Sequence, residues 1–432
     1  MVRSIVVEHT ERLNGTVRIP GSKNSSLALM AAACLADEPV TLLGIPYIAD
    51  FRIVRDLCLG IGAQFVRKAD GSVYIDPRPI HQTCLDPKQS SAIRTAYYFV
   101  GALLAKFGKV TVGYPGGDDF VSRPIDQHIK ALQQLGAKFT FHEDYYEVEA
   151  RELKGTTIYF DTVTSGGTIN SILAAVRAKG RTVLQNAARD PEVTDTANFL
   201  NQMGAKIYGA GTDTIRIEGV SHLHGCTYSV IPDRLIAGTF LIAAGVTGGT
   251  VTVQDVIPEH LGSCIAKLRE VGVEIVTGDH SVTACSDGKI RATRIRTGMY
   301  PGFPTDLQQP FTALLTQASG KSIISERVYP NRFNHIYPLK RMGADIEVRS
   351  GVAYIQGKSR LKGTLVHAPD IRAGISLVLA GLAAEGTTII TGIHHIERGY
   401  ENAAAAFASI GANISVQELA DQSGFLDNEL LS

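Results

Sequence analysis

The stretch Ile61-Gly62-Ala63-Gln64-Phe65 decides the fold of this 432-residue chain, because it recurs along the sequence. In each copy a hydrophobic residue, a glycine and a small residue are followed by a polar residue and a β-former. The other five copies begin at Leu135, Met203, Val271, Met342 and Ile410. Their glycines stand 74, 68, 68, 71 and 68 residues apart along the chain. A period this regular predicts six copies of one folding unit.

Each of these glycines follows an amphipathic stretch and precedes an alternating one. This order is typical of a helix that ends in a left-handed glycine cap and leads into a strand. A second series of helices is apolar on all sides, which predicts that these helices are buried. We expect them to open at Ser22, Ala92, Gly167, Pro232, Thr305 and Asp370. Most should close on a glycine, namely Gly108, Gly180, Gly249, Gly320 or Gly386.

The length of the chain predicts two domains, since 432 residues exceed one typical core. Six units divide into three for each domain, and the predicted fold class is α/β. The charges balance, with 42 basic and 42 acidic residues. Affinity for polyanions needs a basic excess, so we expect neither a nucleic-acid nor a membrane partner.

The six cysteines show no paired C-x-x-C spacing, which indicates buried, reduced thiols. No apolar run is long enough to span a membrane, and the first residues lack the core of a signal peptide. We therefore expect a cytoplasmic protein. The sequence has no Walker loop, dinucleotide fingerprint or metal-ligand spacing. We interpret His394 and His395 as structural and expect no metal and no cofactor.

Charged and polar residues gather where the buried helices begin. They are Ser22-Lys23-Asn24, Arg94, Thr164 to Thr168, Asp233-Arg234, Asp306, and Asp370 with Arg372. Helix N-termini present unpaired N–H groups and partial positive charge, so basic residues placed there indicate an anion site. Two domains with such helix ends facing each other would form a cationic cleft. The simpler alternatives are that the three acids are ordinary N-caps and that Lys23 and Arg94 are solvated charges.

A glycine-rich segment runs from Tyr114 to Pro124, between a predicted strand at 109–112 and a predicted helix at 124–135. Its glycines, with an acid and an arginine, are typical of a lid that closes over a substrate. An ordinary surface loop is the alternative interpretation.

Several motifs, spread over roughly Ile5 to Ile414, resemble those of the enolpyruvyl transferases. They are Pro20-Gly21-Ser22-Lys23-Asn24, Pro115-Gly116-Gly117, Arg123 to His128, Asp195 to Phe199, Phe303 to Asp306, Asn331-Arg332-Phe333, Asp370-Ile371-Arg372 and Glu397 to Glu401. The resemblance implies two inside-out α/β domains of three units each. The first domain is expected over 23–231, with the lid at about 113–124. The second is expected over 1–22 plus 232–417, followed by a C-terminal tail at 418–432.

The resemblance also implies a reaction. The enolpyruvyl group of phosphoenolpyruvate would move to the 3′-hydroxyl of UDP-N-acetylglucosamine, through a tetrahedral intermediate, with release of phosphate. This is the first committed step of peptidoglycan synthesis, which links the chain to cell shape and cell division. These two small molecules are the expected partners, and the chain is expected to be a monomer or a weak homo-oligomer.

The resemblance assigns a role to particular residues of this sequence. For phosphoenolpyruvate they are Lys23, Arg123 and Arg398 on the phosphate, and Arg332 and Arg372 on the carboxylate, where a planar fork suits two oxygens. Asp306 is the candidate base, and Asp118 in the lid is the candidate acid; Lys23 and Arg398 complete the catalytic set. For the UDP-sugar they are Asn24, Arg94, Arg123, Pro124, Asp126, His128, Thr164, Ser165, Gly166, Asp306 and Val328.

Three positions depart from the commonest family pattern, one in the predicted lid and two near the expected diphosphate site. Asp118 stands where a cysteine is usual, and a carboxylic acid can donate a proton there only if its pKa is raised. Because the thiolate is missing, we expect the epoxide fosfomycin not to inactivate the protein covalently. Thr162 replaces a lysine, and Ser165 a hydrophobic residue, near the expected diphosphate site. The alternatives are therefore an enolpyruvyl transferase with another nucleotide acceptor, the shikimate-pathway enzyme, or a catalytically silent regulatory relative.

Overall fold

The computed structural model describes residues 1–116 and 124–419, which form two compact units. The first unit comprises Pro20–Asp233 together with Met299–Pro301. The second comprises Met1–Ile19, Arg234–Gly298 and the described chain from Gly302 onward. The sequence predicted domain boundaries after residues 22 and 231, whereas the units change after Ile19 and Asp233, and the short segment 299–301 was not predicted.

The elements follow one another as strands and helices throughout the described residues. The strands are β1 (Val2–Glu8), β2 (Leu13–Arg18), β3 (Val40–Leu43), β4 (Gln64–Arg67), β5 (Val73–Asp76), β6 (Lys109–Gly113), β7 (Lys138–Phe141), β8 (Tyr145–Glu149), β9 (Thr157–Tyr159), β10 (Arg181–Gln185), β11 (Lys206–Tyr208), β12 (Thr214–Glu218), β13 (Thr227–Ser229), β14 (Gly249–Gln254), β15 (Glu274–Thr277), β16 (Ser281–Ser286), β17 (Ile290–Arg291), β18 (Arg294–Arg296), β19 (Ala318–Ser325), β20 (Asp345–Arg349), β21 (Val352–Gly357), β22 (Leu365–His367), β23 (Thr387–Thr391) and β24 (Ile414–Leu419). The helices are α1 (Lys23–Ala33), α2 (Ala49–Gly60), α3 (Pro87–Ser91), α4 (Tyr98–Phe107), α5 (Asp126–Gln134), α6 (Ser165–Ala175), α7 (Pro191–Gln202), α8 (Arg234–Thr247), α9 (Gly262–Glu270), α10 (Thr305–Leu315), α11 (Ile336–Arg341), α12 (Ile371–Ala383), α13 (Ile393–Ile396) and α14 (Ala403–Ala408).

The first unit has three sheets around a core of helices. The strand orders are β13-β3-β5-β4, β6-β8-β7 and β11-β12-β10-β9. Helices α1, α4 and α6 are buried along most of their length, and α4 packs against both of the others. The amphipathic helices α2 and α5 are buried on one face, whereas α7 is buried over most of its length. One sheet for each repeat, with the apolar helices innermost, is the inside-out α/β arrangement that the family resemblance implied.

The second unit repeats this plan. Its strand orders are β22-β23-β1-β24, β15-β16-β14-β2 and β17-β19-β21-β20, with β18 beside β19. The buried helices α8, α10 and α12 all contact one another. The first strand of the chain, β1, lies between β23 and β24, so the N-terminal segment completes the sheet of the last repeat.

The repeated glycines explain why helix and strand alternate. Their φ angles are +99°, +105°, +99°, +102°, +100° and +94° for Gly62, Gly136, Gly204, Gly272, Gly343 and Gly411. In each repeat the helix ends two or three residues earlier, and the strand begins two or three residues later. Residues with a Cβ avoid this left-handed region, so glycine turns the chain out of the helix. The predicted unit of helix, glycine and strand is confirmed.

Some predicted boundaries are wrong. Ala92 does not open a helix, because it ends α3 and a 3₁₀ turn over Arg94–Tyr97 precedes α4. Of the five expected closing glycines, all have positive φ, but Gly108 alone directly ends a helix. Glu418 and Leu419, assigned to the tail, belong to β24 and pair with Arg3 and Val2.

All six cysteines are free thiols, as expected, but Cys84 and Cys285 are exposed rather than buried. Across the described part of the chain, every helix falls short of the length and apolar character that a bilayer span requires.

Candidate active site

Two buried arginines of the second unit meet the carboxylate of Asp306. Arg332 lies in the segment between β19 and α11, and Arg372 is the second residue of α12; their side chains are only 3% and 4% exposed. Oδ1 of Asp306 lies 2.5 Å from a terminal nitrogen of Arg332, and Oδ2 lies 3.6 Å from one of Arg372. The first turns of α10 and α12 add positive potential at this point. We call Arg332 and Arg372, together with the two helix starts, the anion seat. In this structure the carboxylate of Asp306 occupies it.

The structure gives different contacts to Asp306 and Asp370, which the sequence could not distinguish from ordinary N-caps. Asp306 is not an N-cap, because α10 begins at Thr305 after Pro304, and its carboxylate pairs with the arginines. Asp370 is the N-cap of α12: its Oδ1 accepts hydrogen bonds from the backbone N–H of Arg372 and Ala373, at 2.8 and 2.9 Å. Asn334 donates to the other oxygen of Asp370. Asp370 therefore fixes the backbone that carries Arg372.

Arg398 follows the short helix α13, which packs on α12. The contact is close: a Cβ on Gly374, in the first turns of α12, would lie 2.6 Å from Cγ1 of Ile396. The backbone N–H of Arg398 donates to the carbonyl of His395 at 3.3 Å. Close packing of α13 thus places the Arg398 segment beside the start of α12.

In the first unit, Lys23 is held on both its side chain and its backbone. Its Nζ lies 2.8 Å from Oδ2 of Asp50, with side-chain exposures of 12% and 3%. Its backbone N–H donates to Oδ2 of Asp233 at 3.0 Å. Ser22 caps α1 by accepting from the N–H of Ser25. Lys23 is therefore a positioned cation at a helix start and not a solvated charge.

Several residues that are expected to bind the nucleotide contact one another or a shared neighbour within the first unit. A terminal nitrogen of Arg94 donates to Oδ1 of Asn24 at 3.3 Å. The rings of His128 and Tyr97 lie 4.5 Å apart, and a Cβ on Gly166 would clash with the Tyr97 hydroxyl. Asn24 thus contacts Arg94, and Gly166 lies beside Tyr97 and His128. The assignment of these residues to one ligand stays a prediction.

Burial keeps His128 neutral. Desolvation, opposed by the charge of Asp126 and reinforced by that of Arg94, lowers the pKa of His128 from 6.5 to about 4. A nitrogen of its ring, Nδ1, lies 3.1 Å from Nδ2 of Asn170. Oδ1 of Asn170 accepts from the N–H of Gly101, so Nδ2 of Asn170 donates to Nδ1 of His128. At neutral pH the imidazole therefore keeps its Nε2–H as a donor for a ligand.

The remaining predicted residues occupy more exposed positions. Thr164 caps α6 by accepting from the N–H of Gly167 at 3.2 Å, with Ser165 and Gly166 as the first two residues of the helix. Pro124 and Asp126 are exposed, and the backbone N–H of Val328 donates to Glu326. Asp118 and Arg123 lie outside the described residues, as does most of the segment predicted to be a lid.

Comparison with known proteins gives the family. The family model described as EPSP synthase (3-phosphoshikimate 1-carboxyvinyltransferase) matches residues 7–406. The chain belongs to the EPSP synthase family. It is 47% identical over 421 residues to UDP-N-acetylglucosamine 1-carboxyvinyltransferase 2 of Bacillus cereus, covering 98% of each chain. It is 48% identical over 413 residues to the protein of the same name in Geobacillus kaustophilus, covering 95% of this chain and 96% of that one.

Solved structures agree with this assignment of the fold. The enolpyruvyl transferase NikO from Streptomyces tendae matches with a TM-score of 0.88 at 25% identity, over 97% of this chain and 100% of that chain. EPSP synthase from Acinetobacter baumannii matches with a TM-score of 0.73 at 19% identity, over 96% of this chain and 100% of that chain. The enolpyruvyl transferase fold that the resemblance implied is confirmed.

Sequence reasoning missed several residues that contact the candidate site residues or the segments that carry them. Asp50, in the first turn of α2, looks like any acid near a helix N-terminus. Tyr97 looks like an ordinary core aromatic. Glu326 follows a strand and carries no motif. The motif around Asp195 was noted, but not that its carboxylate accepts from the hydroxyls of Ser25 and Tyr228.

No metal site emerges from the described residues, where His, Cys, Asp and Glu do not gather into groups of three. His394 and His395 have ring centroids 4.1 Å apart, and His367 lies 6.4 Å from His395.

Proposed function

We propose that this chain is a UDP-N-acetylglucosamine 1-carboxyvinyltransferase. It moves the enolpyruvyl group of phosphoenolpyruvate to the 3′-hydroxyl of the UDP-sugar and releases phosphate. The observation that carries the proposal is the pair of buried arginines around Asp306, in a chain 47% identical to an enzyme of that name over 98% of both. Two guanidinium groups beside an acid suit a reaction that needs both an anion seat and a base.

In this proposal, Arg332 and Arg372 bind the carboxylate of phosphoenolpyruvate, and Asp306 accepts the proton of the attacking hydroxyl. The hydroxyl oxygen bonds to C2 while the methylene carbon, C3, takes up a proton, which we assign to Asp118. In the second step C3 returns a proton to the Asp118 carboxylate, the bond from C2 to the phosphate oxygen breaks, and the proton that Asp306 accepted leaves with the phosphate. The products are the enol ether and inorganic phosphate, so atoms and electrons balance without a cofactor.

The phosphate of phosphoenolpyruvate is assigned to Lys23, Arg123 and Arg398. Lys23 is supported by its fixed geometry: the ion pair with Asp50 and the hydrogen bond to Asp233 hold its position before any ligand arrives. Such preorganisation reduces the ordering cost of binding. The assignments of Arg123 and Arg398 rest on the family motifs.

Most of the residues that we assign to the nucleotide belong to the first unit. Arg94 and the N-terminus of α6, with Thr164, Ser165 and Gly166, would receive the diphosphate, because a helix start favours anions. Asn24 would contact the amino sugar. Pro124, Asp126 and His128 would contact the uracil, where the Nε2–H of the neutral His128 imidazole can donate to a carbonyl oxygen of the base. Val328 and Asp306 complete this set.

The departures at Thr162 and Ser165 support one second candidate, transfer to a different nucleotide acceptor. Thr162 is exposed beside the N-terminus of α6, where a lysine would have added a charge for the diphosphate.

We further propose, with the main function, that the chain is a cytoplasmic enzyme and acts as a monomer or weak homo-oligomer. Its product would serve cell-wall growth, cell shape and division.

A phosphate-release assay separates these candidates. The protein is incubated with phosphoenolpyruvate and, in turn, UDP-N-acetylglucosamine, other UDP-sugars and shikimate 3-phosphate. Phosphate release that requires UDP-N-acetylglucosamine, and that none of the other acceptors supports, favours the proposal. Faster phosphate release with another acceptor supports the second candidate. Binding of both substrates without phosphate release would contradict both and leave the silent relative.

A further inference from the structure

Glu326 is a buried carboxylate for which the proposed reaction has no use. The residue is 2% exposed and directly follows β19. Its Oε1 accepts hydrogen bonds from the hydroxyl of Thr297 at 2.7 Å and from the backbone N–H groups of Val328 and Tyr329 at 2.8 and 3.0 Å. Its Oε2 accepts from the hydroxyl of Thr305 at 2.9 Å. A carboxylate has about four acceptor positions, so these four donors satisfy it.

Two of these four donors, the Thr305 hydroxyl and the Tyr329 backbone N–H, belong to residues that also contact Arg332. Thr305 directly precedes Asp306, and its hydroxyl oxygen also accepts a hydrogen bond from Arg332 at 3.2 Å. Because its proton is given to Glu326, a lone pair of this hydroxyl faces Arg332. Tyr329 provides the second route, since its ring lies under the Arg332 guanidinium, 5.9 Å from the ring centroid.

We propose that Glu326 is a positioning residue that orients Arg332 for the substrate carboxylate, through the hydroxyl of Thr305 and the backbone of Tyr329. The inference rests on the proposed function for the identity of that carboxylate. The charge of Glu326 matters because a carboxylate only accepts hydrogen bonds and so fixes the direction of each donor. A carboxamide of the same size would present an N–H₂ group to one of these donors.

Glu326→Gln tests this proposal with little change in volume. If the amide nitrogen faces Thr305, the hydroxyl proton must turn away from it, toward Arg332. We expect KM for phosphoenolpyruvate to rise about tenfold, the effect of one hydrogen bond to a charged group, with KM for the UDP-sugar within about twofold of wild type. Thr305→Val should likewise raise KM for phosphoenolpyruvate and leave KM for the UDP-sugar almost unchanged. In the double variant KM for phosphoenolpyruvate should rise little further, because both changes break the same chain of hydrogen bonds from Glu326 through Thr305 to Arg332.

Thr297→Val is the matched control. It also removes a hydroxyl from Glu326, on the side away from Thr305, where Thr297 accepts from the N–H of Arg327 at 2.8 Å. This change should lower the melting temperature while leaving both KM values near those of wild type. A merely structural Glu326 predicts instead that all three variants lower stability alike and alter the two KM values together, and that result would overturn the proposal.

A readout without substrate keeps this test separate from the proposed function. The guanidinium N–H signals of Arg332 can be followed by NMR in the full chain with ¹⁵N-labelled arginine, assigned with Arg332→Lys. Faster exchange of these signals in Glu326→Gln and Thr305→Val, but not in Thr297→Val, supports the positioning role even if turnover fails. Unchanged signals in all three variants would refute it. Absence of turnover in the wild type would count against the proposed function alone.

Discussion

Removing the carboxylate of Asp306 should strengthen anion binding and abolish turnover at the same time. In the structure Asp306 lies 2.5 Å from Arg332 and 3.6 Å from Arg372, so it competes with any incoming carboxylate. Hydrogen bonds between charged groups contribute about 1.5–3 kcal/mol, so Asp306→Ala should tighten binding of phosphoenolpyruvate by about tenfold or more. Loss of a general base costs about 10²–10⁴ in kcat.

The same variant should be less stable without ligand. Removing one partner of a buried ion pair costs about 3–5 kcal/mol, and we expect less here, on the order of 2 kcal/mol, because the Asp306 side chain is 26% exposed. Phosphoenolpyruvate should restore the lost melting temperature.

Calorimetric titration measures the affinity of Asp306→Ala for phosphoenolpyruvate, and phosphate release measures its turnover. Asp306→Asn removes the charge but keeps the volume, and Arg332→Ala removes the seat. Binding in Asp306→Ala that is no tighter than in wild type would refute the competition, and turnover within tenfold of wild type would remove Asp306 as the base.

The other predictions concern the segment predicted to be a lid and the buried histidines. Asp118→Asn should nearly abolish phosphate release while ligand affinities measured by calorimetry stay close to wild type; unchanged turnover would exclude Asp118 from the mechanism. Fosfomycin with the UDP-sugar should leave the mass of the protein unchanged, and a stable adduct on the lid would contradict this. Desolvation and the charge of Arg332 lower the pKa of His335 to about 3, while burial lowers that of His128 to about 4. As the pH falls from 7 to 5, the unfolded chain takes up these protons and the folded chain takes up very little, so the free energy of unfolding should fall by about 2 kcal/mol for each histidine. His335→Leu should reduce this loss in urea unfolding at pH 7 and pH 5, and an unchanged loss would show that His335 is not its source.

The repeat could be predicted from sequence because its causes are local. A left-handed glycine such as Gly62, an amphipathic helix before it and an alternating strand after it are all determined within about 20 residues. The buried helices were recognisable for the same reason. Their exact starts were less certain, since the 3₁₀ turn at Arg94 depends on how that segment packs.

The site was only partly predictable, because its chemistry depends on distant contacts. The role of Asp306 depends on Arg332 and Arg372, which lie 26 and 66 residues further along the chain, and its position in the first turn of α10 is equally typical of an N-terminal acid. Glu326 carries no local pattern at all. Helix-start positions did indicate where the charges lie, because the positive end of a helix is a local property.

The central claim, enolpyruvyl transfer to the UDP-sugar, is tested most directly by ¹³C NMR of the reaction with phosphoenolpyruvate labelled at C2. With UDP-N-acetylglucosamine present, we predict that the labelled carbon becomes that of an enol ether on the sugar 3′-oxygen while inorganic phosphate appears in equal amount. A labelled carbon that stays in phosphoenolpyruvate, or that appears as pyruvate with no link to the sugar, would contradict this account.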